Sequence, residues 1–168
     1  MESIFALQSY VGDICTQAIS CEDEDVTVEC YGILGRLTSR DIDWRQICLE
    51  YNLLADIDQR LLNASTEEDL LLEMIILLGT LAQFEDSAAL VWDSSHLVPS
   101  LKSVLSQKQQ DDEIVLQLLI CLYRLLSHAS CPPSVFTTEE VKTMLANLMN
   151  DKNVVIRKVC DRIFGLVQ

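Results

Sequence analysis

One pattern recurs along this chain at a fixed spacing, and it limits the fold more than any other feature. Placing Asp69 over Asp25 brings Val26, Val28, Glu29, Ile33, Leu34, Gly35 and Leu37 under Leu70, Leu72, Glu73, Leu77, Leu78, Gly79 and Leu81, a step of 44 residues. A second step of 44 reaches the segment from Glu113 to Leu125, and a looser copy at a step of 40 runs from Asn153 to Phe164. Each copy is an apolar segment with helical spacing that cannot bury its own surface alone, so the copies must stack. A period of this size predicts a helical solenoid with one continuous core.

The segments between the copies carry two further helical patterns. Asp43 is placed to cap a short helix through Tyr51, and Leu53, Leu54, Ile57, Leu61 and Leu62 form a period-3.6 stripe ended by Asn63. The same short and middle roles return at Glu85 to Trp92 and at His96 to Leu105, where Pro99 is tolerated if it falls in the first helical turn. Ser65 or Thr66 is placed to cap the long helix from Glu67 to about Gln83. Cys131-Pro132-Pro133 breaks the chain, Thr138 to Glu140 restarts it, and Asp151 begins a last long helix. No stretch alternates with period two. Three helices per unit give an all-α expectation: an armadillo-type right-handed solenoid of about three full repeats plus partial or capping repeats. It is read as a single domain over 1–168, with a cap or partial repeat over 1–21, units over 22–66, 67–110 and 111–150 counted from the long helix, and a terminal long helix over 151–168.

The chain holds 26 acidic and 12 basic residues, a formal charge of -14, and no cluster of Lys and Arg, which argues against nucleic acid as a partner. Much of the acidity falls just before the long apolar segments, at Glu22 to Asp25, Glu67 to Asp69 and Asp111 to Glu113, where carboxylates favour the positive end of a helix. Seven cysteines without a Cys-x-x-Cys spacing read as small thiols of a reducing compartment, with Cys30, Cys121 and Cys160 inside apolar helical patterns. Two separated histidines, His96 and His128, and only five glycines offer no metal site, no phosphate loop and no catalytic constellation, so neither an enzyme nor a cofactor is expected. The N-terminus lacks the cationic region of a signal peptide, and the apolar runs are too short for membrane insertion. A soluble, intracellular protein is the expectation.

Certain runs carry a more specific likeness. Glu29-Cys-Tyr-Gly-Ile-Leu-Gly-Arg-Leu-Thr38, Asp41-Ile-Asp-Trp44, Gly79-Thr80, Gln109 to Glu113 and Asp151-Lys-Asn-Val-Val-Ile-Arg-Lys-Val-Cys-Asp161 resemble the C-terminal armadillo repeats of the kinesin-associated protein family. Members form the non-motor subunit of heterotrimeric kinesin-II. The resemblance, over about 25–164, implies a cytoplasmic, cytoskeleton-associated scaffold found in the cilium or flagellum. Its implied partners are kinesin-II motor-subunit tails and cargo adaptors. Family members are several times longer. The alternative that the repeats leave open is a generic armadillo-type structural or regulatory scaffold that contacts no motor.

Armadillo proteins commonly grip an extended peptide with an Asn near the end of each long helix and a Trp four residues earlier. The repeat alignment puts Arg36, Thr80 and Arg124 at the Asn position and Gly32, Ile76 and Ile120 at the Trp position, so that gripping array is missing. Seven residues before the first position of each pair stand Glu29, Glu73 and Gln117, with Arg157 at the matching place in the last copy. A spacing of seven puts both residues on one helix face. Glu29, Arg36, Glu73, Thr80, Gln117, Arg124 and Arg157 therefore form the candidate protein-binding strip, expected to face solvent along the groove. Trp44 and Trp92 are expected to pack rather than to serve as exposed anchors.

Overall fold

The computed structural model describes residues 2–63, 65–94, 96–128, 130–131 and 138–167. Within them lie ten helices and no strand: α1 Glu2–Ser20, α2 Glu24–Arg36, α3 Trp44–Glu50, α4 Leu53–Leu62, α5 Glu68–Leu81, α6 Glu85–Asp93, α7 Leu97–Gln107, α8 Asp112–Leu126, α9 Glu139–Leu148 and α10 Val154–Val167.

The acidic runs start helices as expected. Asp23 accepts the Val26 amide at 3.2 Å, Asp43 that of Gln46 at 2.9 Å, and Asp111 those of Glu113 and Ile114, each satisfying donors that a helix start leaves without an internal partner. The start of α5 differs from expectation. Glu67 occupies the cap without a side-chain bond, while Thr66 Oγ1 donates to the Arg60 carbonyl and Ser65 Oγ to Asn63 Oδ1. Those hydroxyls fold the α4–α5 turn instead of capping α5. The last helix begins at Val154 rather than at Asp151: Asp151 accepts the Asn153 amide, and Asn153 Oδ1 accepts that of Val155. Pro99 is the third residue of α7, inside its first turn. The break at Pro132 and Pro133 lies outside the described residues.

Stacking produces the core. The long helices α2, α5, α8 and α10 pack in sequence, α1, α4 and α7 form a second row beside them, and α3 packs on α6. Helix α1 contacts α2 and α4, so it holds the place of a middle helix in an incomplete first repeat. A clamp ties α2 to α4: the buried Tyr31 hydroxyl donates to Asp56 at 2.5 Å, and Arg60 Nε donates to the same oxygen at 2.7 Å. Between α3 and α4 the chain turns through Asn52 at φ 52°, a left-handed conformation that Asn accepts more readily than most residues.

The long helices start at Glu24, Glu68, Asp112 and Val154, which gives steps of 44, 44 and 42 residues. The last step is therefore 42, not 40. Burial supports the new register: Ile156, Val159 and Ile163 now align with Ile114, Gln117 and Cys121 on the side facing the preceding helix.

Candidate protein-binding surface

The seven strip residues divide into three kinds of environment. Glu29 and Arg36 are exposed, and Glu73, Gln117, Arg124 and Arg157 are half-buried. Thr80 is 3% exposed, contrary to the solvent-facing expectation. Its position on the helix turns it toward α2, where Oγ1 donates to the Gly35 carbonyl at 2.5 Å. Arg124 does the same one repeat later, with Nη1 donating to the Gly79 carbonyl at 2.7 Å. Arg157 does not share a register with Gln117: by helix starts its counterpart in α8 is Val115, and its guanidinium donates to the Asp151 carbonyl at 2.8 Å.

The two glycines explain the geometry. Thr80 and Arg124 are the thirteenth residues of their helices, and Gly35 and Gly79 are the twelfth residues of the helices before them. A Cβ on Gly35 would sit 3.0 Å from Ile76 Cγ2 and 3.2 Å from the Leu77 backbone nitrogen, so the absence of a side chain lets α5 approach closely. Near a helix C-terminus the carbonyl has no amide four residues ahead inside the helix, and the next repeat supplies the missing donor. Both glycines stand in the 44-residue alignment, Gly35 one position before Arg36 and Gly79 one position before Thr80. Reading polar as exposed concealed their part.

Arg36 has no preceding long helix among the described residues. Its guanidinium donates to Gly32 of its own helix at 2.6 Å and forms a two-pronged pair with Glu73 at 3.0 and 2.9 Å. The Glu73 hydrogen bond and charge raise the guanidinium pKa above its ordinary value, with Glu29 adding to the effect. Since 63% of the Arg36 side chain is exposed, the pair is a charged ridge rather than a buried bridge. The strip is thus a seam between neighbouring helices, open to solvent mainly at Glu29 and Arg36.

Two polar clefts flank the α2–α3 and α5–α6 turns. The first, of about 320 Å³, is bordered by Arg40, Asp43, Trp44, Phe84 and Ser87 among others, and the second shares Arg40, Phe84 and Asp86 with it and extends to His128. His128 bonds the Ala82 carbonyl and Ser87 the Leu81 carbonyl, so both groups serve turns; no group of three metal-ligating side chains occurs among the described residues. Trp44 is 2% exposed and Trp92 is half-buried against the core, matching the packing role. Six of the seven cysteines are buried, Cys21 being the partly exposed one. No helix among the described residues is long and apolar enough to cross a membrane.

The same arrangement of helices occurs in solved structures. The chain is similar to an engineered protein at TM-score 0.76 and 14% identity, covering 94% of this chain and 63% of that one. It is also similar to a designed armadillo repeat protein in complex with the peptide (KR)4, at TM-score 0.75 and 12% identity, covering 94% and 64%. At these identities the likeness establishes the armadillo-type fold, and the chain spans under two thirds of the length of these relatives. The family model for kinesin-associated protein (KAP) matches residues 3–168. This all-helical repeat chain therefore belongs to the kinesin-associated protein family.

Proposed function

We propose that the chain is a non-catalytic adaptor that joins the tails of kinesin-II motor chains to cargo or cargo adaptors in microtubule-based transport, including transport within cilia. The observation that carries this reading is the family match across residues 3–168. The surface is compatible with it. A formal charge of -14 suits basic partner segments, and the charged ridge of Glu29, Arg36 and Glu73, continued by Gln117, supplies hydrogen-bonding groups along the long helices. The designed armadillo protein of similar fold carries a basic peptide, (KR)4.

A structural or regulatory scaffold is the second reading, favoured by one observation. Thr80 and Arg124, at two of the three positions where armadillo proteins grip a peptide, are turned to the neighbouring repeat. Retention of kinesin-II tail segments on the immobilised chain separates the two. The adaptor reading expects saturable retention that weakens with salt; no retention at low salt by a chain that unfolds cooperatively favours the scaffold.

A further inference from the structure

In the middle of the long-helix row two apolar side chains have no place in the core. Ile76 and Ile120, the ninth residues of α5 and α8, are half-buried, and neither is part of the core or packed against it. Each follows a strip residue, Glu73 or Gln117, by three positions and an exposed carboxylate, Asp69 or Glu113, by seven, spacings that share one helix face. Asp69 and Glu113 have no ion-pair partner among the described residues. Helices α5 and α8 run parallel and in register, since Gly79, the twelfth residue of one, meets Arg124, the thirteenth of the other. The two isoleucines therefore stand side by side, about 8–10 Å apart as the axes of packed helices are, with carboxylates along one flank.

Resting on the adaptor reading for the strip as a binding face, we infer the form of the segment it binds: an amphipathic helix of the partner protein, with its apolar stripe on Ile76 and Ile120 and a Lys- or Arg-bearing flank against Asp69 and Glu113. An extended segment needs its backbone gripped, and the side chains at two of the gripping positions, Thr80 and Arg124, donate to the Gly35 and Gly79 carbonyls instead. A helix satisfies its backbone internally and asks of the surface only apolar contact and matching charge. Residues seven apart on a helix are separated by about 10.5 Å along its axis, close to the step between the two isoleucines. A helix lying along the row thus sets one apolar residue on each. The carboxylates then decide which of its flanks turns toward the N-terminal ends of α5 and α8, where Asp69 and Glu113 are the second residues.

Titration of the full chain with a labelled peptide of about 18 residues, built from Leu, Ala and Lys with leucines on one helix face and lysines along one flank, tests this beside a scrambled peptide of the same composition. The patterned peptide is expected to bind saturably, and the scrambled one about tenfold or more weakly. Ile120→Ser should weaken the patterned peptide by a similar factor at an unchanged unfolding temperature. Glu113→Lys, at an exposed position, should weaken it too and strengthen binding of the peptide with Glu in place of Lys. Equal binding of the scrambled peptide, the mark of plain attraction between a basic chain and an acidic protein, overturns the inference. So does absence of binding, or binding that both variants leave unchanged. Motor-tail segments retained equally by the parent and both variants overturn it while the adaptor reading stands; patterned binding without any retention of motor tails does the reverse.

Discussion

Arg124 donates to the carbonyl oxygen of Gly79 at 2.7 Å, and Thr80, its counterpart one repeat earlier, donates to that of Gly35. Polar side chains that look like a ligand-gripping row are thus used between repeats. Charge reversal at Arg124 consequently tests folding, while the exposed Glu29 remains available to test binding.

Removing the Thr80 hydroxyl while keeping its shape isolates the first of these bonds. Thr80→Val is expected to lower stability by about 1 kcal/mol, because the buried Gly35 carbonyl loses its donor from α5. Arg124→Met, which removes a charged donor, should cost about 2 kcal/mol. Urea unfolding with an unchanged m-value checks both.

The two glycines should respond differently to a methyl group. Gly35→Ala forces a Cβ to 3.0 Å from Ile76 and 3.2 Å from the Leu77 backbone, and overpacking of this kind costs about 1–3 kcal/mol. At Gly79 the nearest atom lies 3.6 Å away, an ordinary contact, and the gain in helix propensity of up to about 1 kcal/mol leaves Gly79→Ala neutral or stabilising. Equal destabilisation by the two substitutions would contradict the close approach assigned to Gly35.

Thiol chemistry reports on the core. Burial pushes the Cys15, Cys48, Cys121 and Cys160 thiols up to about 12 from the ordinary 9.0, so the fold favours their protonated form. Their contribution is fully present below about pH 9 and is lost as pH rises from there toward about 12. The Tyr31 hydroxyl, raised by burial and by its bond to Asp56, acts with the same sign. Unfolding temperature should fall steeply across that alkaline range. At neutral pH a thiol reagent should modify Cys21 rapidly and the six buried cysteines only on unfolding, which mass spectrometry resolves.

The Arg36–Glu73 pair is largely solvated on the arginine side. Arg36→Ala should therefore change stability by less than about 1 kcal/mol. A larger loss, measured by thermal unfolding, would mean that the pair fastens α5 to α2 rather than forming a ridge.

Much of this architecture was legible in the residues. The 44-residue step located α2, α5 and α8, and Asp23, Asp43 and Asp111 marked helix starts because a carboxylate in that position has one dominant use. The cap of α5 is less legible, since Ser65 and Thr66 have carbonyl and side-chain partners in the preceding turn that a linear sequence does not display. The last step comes out two residues short when Arg157 is matched to Gln117, because that match weighs polarity over the buried positions Ile156, Cys160 and Ile163. The site was less legible than the fold. Helical spacing shows that Thr80 and Arg124 share a face, but whether that face meets solvent or a neighbour depends on glycines a full repeat away.

Calorimetric titration of the folded chain with a kinesin-II motor-tail segment, beside the Glu29→Lys variant, tests the adaptor reading most directly. The account predicts saturable binding by the parent, weakening as salt rises, and at least tenfold weaker binding by a variant that unfolds at the same temperature. Absence of binding at low salt by the folded parent would contradict it.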